Sequence, residues 1–188
     1  MMIEREYHPE LIVSTDPTRY ALRHACVVDR LPGDDAVGYS GWLIATNGVI
    51  AMFVPVQLAA ADELGPVRGD LCQLAKRAGG KGPYNIRLGA RHIRTADGVI
   101  YPRLLDQGRG KVEYPDLEKH LLSKLSTAAV PVGWVNFRVN QLTCLLKGLG
   151  AESATLEFHG SQGSRPGPCR VKVVNKTLVF GLIMPERG

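Results

Sequence analysis

The residues that could perform catalysis or bind an anion are scattered along this chain. Gly79-Gly80-Lys81-Gly82 superficially resembles a phosphate-binding loop, but a helical pattern precedes it and neither Ser nor Thr follows the lysine. No helix pattern follows the glycine-rich stretch Gly160–Gly167, which favours a hairpin loop over a phosphate cradle. Asp34 and Asp35 stand in a Pro-Gly loop, where solvated carboxylates are the ordinary interpretation. These patterns predict no catalytic residues.

The histidines and cysteines do not have the spacing of a metal site. There is no Cys-x-x-Cys pair, so a disulfide framework or a zinc site is not expected. We predict no metal and no cofactor, and free buried thiols in a reducing cytoplasm. The residues concerned are His8, His24, His92, His120 and His159, and Cys26, Cys72, Cys144 and Cys169.

Composition limits the class of protein. The 188 residues are 45% hydrophobic, with 21 Gly and 12 Pro, which is typical of an all-β or α+β chain with many turns. The net charge of +5, with a pI near 9.1, permits contact with an acidic partner such as nucleic acid. The N-terminus has no apolar signal-peptide region, and no apolar run approaches about 20 residues. We therefore expect a cytoplasmic protein without a membrane span.

The segment Gly41–Val56 is the strongest local signal in the chain. Its apolar runs, Trp42–Ala45 and Val49–Val54, are separated by Thr46-Asn47-Gly48. An Asn-Gly pair between two strand-like runs predicts a β-hairpin, because both residues tolerate the positive φ of a tight turn. The valine, isoleucine and phenylalanine of the second run indicate a strand that is buried on at least one face.

A pattern of strand, helix and three strands occurs twice, at about 66–105 and 133–184. Its two helices are predicted over Leu71–Ala78, capped by Asp70, and over Gln141–Leu149, capped by Asn140. Leu142, Leu145, Leu146 and Leu149 would form the buried stripe of the second helix. The central hairpin is interpreted as the end of a third copy whose helix is missing. The predicted strands are Glu10–Val13, part of Tyr20–Asp29, Tyr84–Leu88, Arg91–Thr95, Val99–Leu105, Gly133–Arg138, Ala154–Phe158, Cys169–Val174 and Thr177–Met184.

Four short motifs, in this order, give the chain a resemblance to a known family. They are Thr18-Arg19-Tyr20-Ala21-Leu22, Ala45-Thr46-Asn47-Gly48, Tyr114-Pro115-Asp116-Leu117 and Ile183-Met184-Pro185-Glu186-Arg187. Together with the helix and strand units between them, they resemble landmarks of the bacterial sliding clamp, the β subunit of DNA polymerase III. The resemblance implies an α+β fold of repeated strand-helix-three-strand units with antiparallel sheets.

The resemblance also implies a domain division. Residues 1–125 would correspond to the middle domain of a clamp, and residues 126–188 to half of its C-terminal domain. The first domain and the first half of the last would be absent. Since those parts help to close the family's ring, encirclement of DNA by this chain does not follow from the resemblance.

Clamps of this family bind short peptide motifs of polymerases and repair proteins between their middle and last domains. The resemblance implies that the corresponding pocket here is lined by Arg19, Leu22, Thr46, Gly48, Pro115, His120, Leu182, Met184, Pro185 and Arg187. Val49, Ile50 and Glu186 depart from the family pattern and would alter the rim of the pocket. The alternative is that these residues only pack the join between two subdomains.

The family's pore-lining helices present basic side chains to DNA without reading its sequence. The resemblance implies that Lys76, Arg77, Lys81 and Lys147 would form that surface here. Ordinary solvated charges are the alternative.

The resulting hypothesis is a non-enzymatic, clamp-like accessory protein that acts in DNA replication and processivity. It would bind peptide motifs of DNA polymerase or repair proteins, and possible partners include double-stranded DNA and further copies of the chain. A second hypothesis is a regulator that does not encircle DNA and competes for clamp-binding partners. A small-molecule enzyme on another α+β fold is a third. An unpaired third unit predicts self-association, with the Gly133–Arg138 strand as the pairing edge.

Overall fold

The computed structural model describes residues 1–31, 38–103, 114–116, 122, 135–159 and 167–185. Within them lie two α-helices, α1 (Gly69–Ala78) and α2 (Val139–Gly148), and two short 3₁₀ helices, Pro9–Leu11 and Tyr20–Arg23. The strands are β1 (Met2–Ile3), β2 (His24–Val28), β3 (Gly41–Thr46), β4 (Ile50–Val56), β5 (Gly65–Arg68), β6 (Tyr84–Leu88), β7 (His92–Thr95), β8 (Ile100–Pro102), β9 (Ala154–Phe158), β10 (Cys169–Val173) and β11 (Phe180–Ile183).

The predicted central hairpin is confirmed as the antiparallel pair β3–β4, in which Thr46 pairs with Ala51. Its turn is held by the Asn47 side chain, whose Oδ1 accepts the backbone N–H of Val49 at 2.9 Å and of Ile50 at 3.0 Å. Gly48 has a φ of +90°, whereas Asn47 does not adopt positive φ. The asparagine therefore stabilises the turn through its side-chain oxygen, and only the glycine uses the left-handed region.

The hairpin lies in the middle of a seven-stranded antiparallel sheet. The strand order is β5-β2-β3-β4-β11-β10-β9, so β11 pairs directly with β4. At this junction Phe53 and Phe180 are register partners, and their rings stack with centroids 4.6 Å apart. Strands from both halves of the chain thus belong to one continuous sheet. The division into domains 1–125 and 126–188 stays a prediction.

A second sheet has the order β1-β6-β7-β8 and is also antiparallel. Side chains alternate along β6, where Tyr84, Ile86 and Leu88 are buried while Asn85 and Arg87 are exposed. This alternation is expected when one face of a sheet packs on the core and the other faces water. It confirms the predicted three-stranded meander and adds β1 at its edge.

The helices form a layer on the inner faces of the sheets. The 3₁₀ helix Pro9–Leu11 contacts both α1 and α2, and α2 packs on β4 and β11. The contact with α2 is close: the N–H of His8 donates to the carbonyl of Gly148 at 2.7 Å, and a Cβ at Gly148 would lie 2.6 Å from Ile12 Cδ1. The main core lies between this layer and the sheets.

The sheet order shows how the repeated units interlock. The first unit is β1, the 3₁₀ helix Pro9–Leu11 and β2-β3-β4, and the second is β5, α1 and β6-β7-β8. Each unit's first strand pairs with the other unit's meander, because β1 joins β6 and β5 joins β2. The third unit, in its described part, is α2 with β9-β10-β11. The predicted unit at 66–105 is present, and the described part of the unit at 133–184 has its helix and three strands but not its first strand. A one-turn 3₁₀ helix occupies the helix position of the unit that ends in the central hairpin.

A buried arginine connects the two sheets where β5 begins and β8 ends. Arg103 is 6% exposed, and its guanidinium donates to the carbonyls of Leu64 at 2.7 Å, Glu63 at 2.9 Å and Gly89 at 3.0 Å. Burial lowers the pKa of Arg103, and the nearby Glu63 carboxylate opposes that shift. The guanidinium thus satisfies carbonyls of the segment before β5 and of the turn after β6.

Some local predictions were wrong. Glu10–Val13 is not a strand, since Pro9 begins a 3₁₀ helix there and its fixed φ suits a first helical position. Asp70 and Asn140 are not the N-caps, because α1 begins at Gly69 and α2 at Val139. The Asp70 carboxylate instead pairs with the Arg68 guanidinium.

The predicted strand Gly133–Arg138 is not found in its described part, because residues 135–138 have no strand structure; the rest lies outside the described residues. The leucine stripe of α2 is covered within the chain. Leu145 and Leu149 are 0% exposed, while Leu142 and Leu146 are half-buried against the same core. The uncovered stripe that motivated self-association is therefore absent from this structure's described residues. In those residues, no helix has the length and apolarity needed to cross a membrane.

Candidate functional site

The β3–β4 turn and the 3₁₀ helix at Tyr20–Arg23 meet at Gly48. The Arg19 Nη1 donates to the carbonyl of Asn47 at 3.0 Å. A Cβ built on Gly48 would lie 2.9 Å from Arg19 Nη1 and 3.5 Å from Leu22 Cδ1. Gly48 is exposed and Leu22 half-buried, so glycine leaves the turn's backbone open beside an apolar side chain.

The end of β11 reaches the other side of the same turn. The N–H of Met184 donates to the carbonyl of Val49 at 2.9 Å. One residue row crosses three strands here, because Thr46 pairs with Ala51 and Ala51 with Leu182. Leu182 and Thr46 are buried, whereas Met184 is half-buried, as is Pro185. The methionine and proline thus provide a partly exposed apolar border next to the turn.

Thr46 has an internal role at this point. Its Oγ1 donates to the carbonyl of Ile50 at 2.7 Å and accepts the N–H of Gly48 at 3.1 Å. Thr46 therefore stabilises the turn through these two hydrogen bonds, and with 3% of its surface exposed it offers little area to a ligand. Ile50 is also buried, in the main core, so its predicted place on a pocket rim is wrong; Val49 is 38% exposed.

The face of the seven-stranded sheet turned away from the helices carries a second apolar cluster, here called the outer cluster. The half-buried Tyr114 packs on it, and its hydroxyl donates to the carbonyl of Ile44 at 3.4 Å. Burial raises the pKa of the Tyr114 phenol well above its usual range. Pro115, next in the chain, is half-buried. The outer cluster consists of Trp42, Ile44, Ala51, Phe53, Phe180 and Leu182.

The structure therefore brings most of the predicted pocket residues to one end of one sheet. Arg19, Leu22 and Gly48 contact each other, Met184 bonds to the residue after Gly48, and Leu182 shares a residue row with Thr46. Pro115 follows a tyrosine that packs on the outer cluster of the same sheet. The predicted residues His120 and Arg187, and the variant position Glu186, lie outside the described residues.

Three of the four predicted DNA-facing cations are exposed, namely Arg77, Lys81 and Lys147. The prediction for Lys76 is wrong, because only 7% of it is exposed. Its Nζ donates to the carbonyl of Tyr7 and lies 3.6 Å from Glu10 Oε1. Burial lowers the pKa of Lys76, while the Glu10 carboxylate opposes that change. Its ammonium group is committed to an internal contact.

The buried face of α1 explains this error. The residues that α1 buries are Leu71, Cys72, Ala75 and Lys76, together with Gly69. Leu74, which was assigned to the buried stripe, is only half-buried, and Ala78 is exposed. Lys76 lies four residues after Cys72, on the same helix face as Leu71, Cys72 and Ala75. This spacing could have predicted that Lys76 is buried.

Sequence reasoning also missed a groove of about 680 Å³ beside the first turn of α1. Arg23, Arg68 and His24 line it on one side, with Glu10 and Asp70 nearby. Burial lowers the pKa of His24, opposed by the hydrogen bond of its Nδ1 to the carbonyl of Tyr20 at 3.0 Å. The Arg68 guanidinium and the Asp70 carboxylate form an ion pair within this lining.

The sequence and the structure were compared with those of known proteins. No protein-family model and no curated protein matches the chain. Solved structures do: a DnaN sliding clamp (DNA polymerase III subunit beta) from Bartonella birtlesii, bound to griselimycin, superposes with a TM-score of 0.64 at 14% identity. The DNA polymerase sliding clamp of Caulobacter crescentus superposes with a TM-score of 0.62 at 15% sequence identity. The DNA polymerase III beta subunit of Thermotoga maritima superposes with a TM-score of 0.60 at 10% identity.

Each of these matches covers 100% of this chain but only 65–66% of the clamp. The predicted α+β architecture of repeated units is thereby confirmed, and the chain spans about two thirds or slightly less of the proteins it resembles. The chain therefore has the fold of the DNA polymerase III β sliding clamp, in a shortened form.

Proposed function

We propose that this chain is a non-enzymatic, clamp-like accessory protein of DNA replication that binds short peptide motifs of replication or repair proteins. The binding surface would lie around the β3–β4 turn, between Leu22 and Met184. The observation that carries the proposal is the meeting of Arg19, Leu22, Gly48 and Met184 around one turn of a chain with the clamp fold.

The chemistry of this surface suits a peptide. Methionine and leucine offer an adaptable apolar contact, and the open backbone at Gly48 lets an extended chain approach closely. The Arg19 side chain is roughly half-exposed at the edge of the surface, where its guanidinium donates to the Asn47 carbonyl and its Nε lies 3.7 Å from Asp16 Oδ2. An acidic or polar residue of the peptide would lie on this side.

The test is a titration of a fluorescently labelled clamp-binding peptide with an apolar end. Met184→Ala should weaken binding by about 1–2 kcal/mol, because the shortened side chain would no longer touch the ligand. Leu156→Ala is the matched control, since Leu156 is 37% exposed on β9, at the far edge of the seven-stranded sheet. No saturable binding at millimolar peptide, or equal losses in both variants, would reject the peptide surface.

Double-stranded DNA is the second proposed partner, bound without sequence preference along the helix layer. Arg77, Lys81 and Lys147 are exposed and would contact phosphates, whereas Lys76 is excluded by its burial. Affinity should fall steeply with salt, and each lysine or arginine replaced by glutamine should reduce the log–log slope by about 0.9 for every phosphate that is no longer neutralised. Lys172→Gln is the control, because Lys172 lies on β10, away from the helices. Salt-independent binding would contradict this mode.

One observation favours the alternative of a regulator that does not encircle DNA. The buried leucines of α2, Leu145 and Leu149, are covered by the chain itself, so the third unit does not need a second copy to complete its core. Light scattering separates the two hypotheses. A ring requires a defined oligomer, and a stable monomer at high micromolar concentration would support the competing regulator.

A further inference from the structure

Two arginines lie directly opposite each other on the outward face of the four-stranded sheet. Arg87 of β6 is the register partner of Arg94 of β7, and Arg94 is in turn the partner of Ile100 of β8. All three side chains are exposed, while their neighbours Ile86 and Ile93 are buried beneath the sheet. Arg87, Arg94 and Ile100 therefore form one row across three strands, here called the Arg87–Arg94 row.

Opposed like charges destabilise a strand pair, since their Cβ atoms are about 5 Å apart. Among the described residues no carboxylate forms an ion pair with Arg87, with Arg94 or with the neighbouring Arg91. An external carboxylate placed between the two guanidinium groups would remove the repulsion and accept charge-assisted hydrogen bonds. The row therefore has the electrostatics of a site for an anionic ligand.

The apolar neighbours of the row indicate which anion fits. Ile100 is 61% exposed beside Arg94, and Met2 is 38% exposed on the same face, opposite Asn85. A nucleic-acid backbone presents phosphates and polar sugars but no apolar side chain to cover Ile100 and Met2, whereas a peptide with alternating acidic and aliphatic residues presents both a carboxylate and an apolar side chain. The combination favours an acidic peptide over a phosphate backbone.

We propose that the Arg87–Arg94 row docks an extended segment of a partner protein with an acidic residue two positions from an aliphatic one. Adjacent strands are about 4.8 Å apart, so the midpoint between the arginines lies about 7 Å from Ile100. Side chains at i and i+2 of an extended chain are also separated by about 7 Å. A crossing peptide can thus place a carboxylate between the arginines and a leucine on Ile100. This site lies on a different sheet from the Gly48 surface and does not depend on it.

Fluorescence anisotropy with the full chain tests the proposal. The probe is a labelled peptide of three Glu-Ser-Leu-Ser repeats, and the comparison peptide has Glu-Leu-Ser-Ser repeats, which keep the composition but put the two side chains on opposite faces. We expect the first peptide to bind more tightly. Arg87→Gln/Arg94→Gln should weaken its binding at least about tenfold, the value of one charged hydrogen bond. Ile100→Ser should have a smaller effect.

The double variant Arg23→Gln/Arg30→Gln is the matched control, because it removes the same charge from exposed positions outside this sheet. It should leave binding unchanged. Thermal unfolding checks the folding of Arg87→Gln/Arg94→Gln, whose melting temperature should equal or exceed that of the wild type once the repulsion is relieved. Equal binding of the two peptides, an equal loss in both double variants, or tighter binding of a single-stranded oligonucleotide than of the peptide would overturn the proposal.

Discussion

Gly181 offers a sharp test of how the third unit joins the rest of the chain. It lies in β11, directly under α2, and a Cβ there would be 2.7 Å from Leu145 Cδ1 and 3.1 Å from the carbonyl oxygen of Ala51. Leu145 is 0% exposed, so its side chain has no free space into which it can move. Gly181→Ala should therefore push α2 away from the β4–β11 junction.

Forcing one methyl group into a closed core costs about 1–3 kcal/mol. In a chain of this length each kcal/mol lowers Tm by about 2–4 °C, so thermal unfolding should resolve the change. Gly80→Ala is the matched control, because no atom lies within 4 Å of its Cβ position. That variant should change stability by less than about 0.5 kcal/mol.

The double variant Gly181→Ala/Leu145→Val makes the test specific. Removing one methylene from Leu145 opens space for the new methyl group, so the double variant should be more stable than the sum of the single changes predicts, by about 0.5–3 kcal/mol. Urea unfolding of the four proteins gives this coupling energy. Additive effects, or a Gly181→Ala protein as stable as Gly80→Ala, would refute the close packing of α2 on β11.

Two further predictions concern buried groups. Arg103→Met should lower the free energy of unfolding by about 1–3 kcal/mol, because it removes the donor of part-buried hydrogen bonds to the carbonyls of Glu63, Leu64 and Gly89. The exposed Arg91→Met should have little effect in the same urea titration. Burial raises the pKa of the Cys26 thiol to about 11 and those of Cys72 and Cys169 to about 12, so at pH 8 iodoacetamide should label the half-buried Cys144 first. Mass spectrometry of the labelled peptides checks this order, and early labelling of Cys72 would contradict it.

The sequence predicted correctly those strands that show alternating apolar and polar residues or are bounded by turn residues. The Asn47-Gly48 hairpin, the strand Tyr84–Leu88 and the strand Ala154–Phe158 have the predicted positions, since turn residues and alternation mark them directly. The strand β1 was not predicted, whereas β5 corresponds to the strand that opens the predicted unit at 66–105. β1 has only two residues and so shows no alternation; it exists because an edge of a sheet was available to pair with it.

The sequence predicted which residues lie close together at the candidate site, but it did not predict which of them are buried. The motifs around Leu22, Gly48 and Met184 meet as the resemblance implied. Thr46 and Ile50, however, are buried on the two strands that flank the turn: Thr46 lies in the residue row of Ala51 and Leu182 of the outer cluster, and Ile50 lies in the main core. The burial of Lys76 was not predicted either. Its charge suggested a solvent-exposed side chain, but tertiary packing of the helix layer places Glu10 beside it, and this carboxylate allows the ammonium group to be buried.

The exchange of first strands between the first two units has a mechanical consequence. Pulling these units apart would require two separate ladders, β1–β6 and β5–β2, to break together. The third unit is attached through one ladder, β4–β11, with α2 and an ion pair between Lys176 and Glu6 as additional contacts. Under load the molecule should therefore bend or tear along the β4–β11 line. The β4–β11 ladder ends beside Met184, so its separation would first disturb the turn at Gly48.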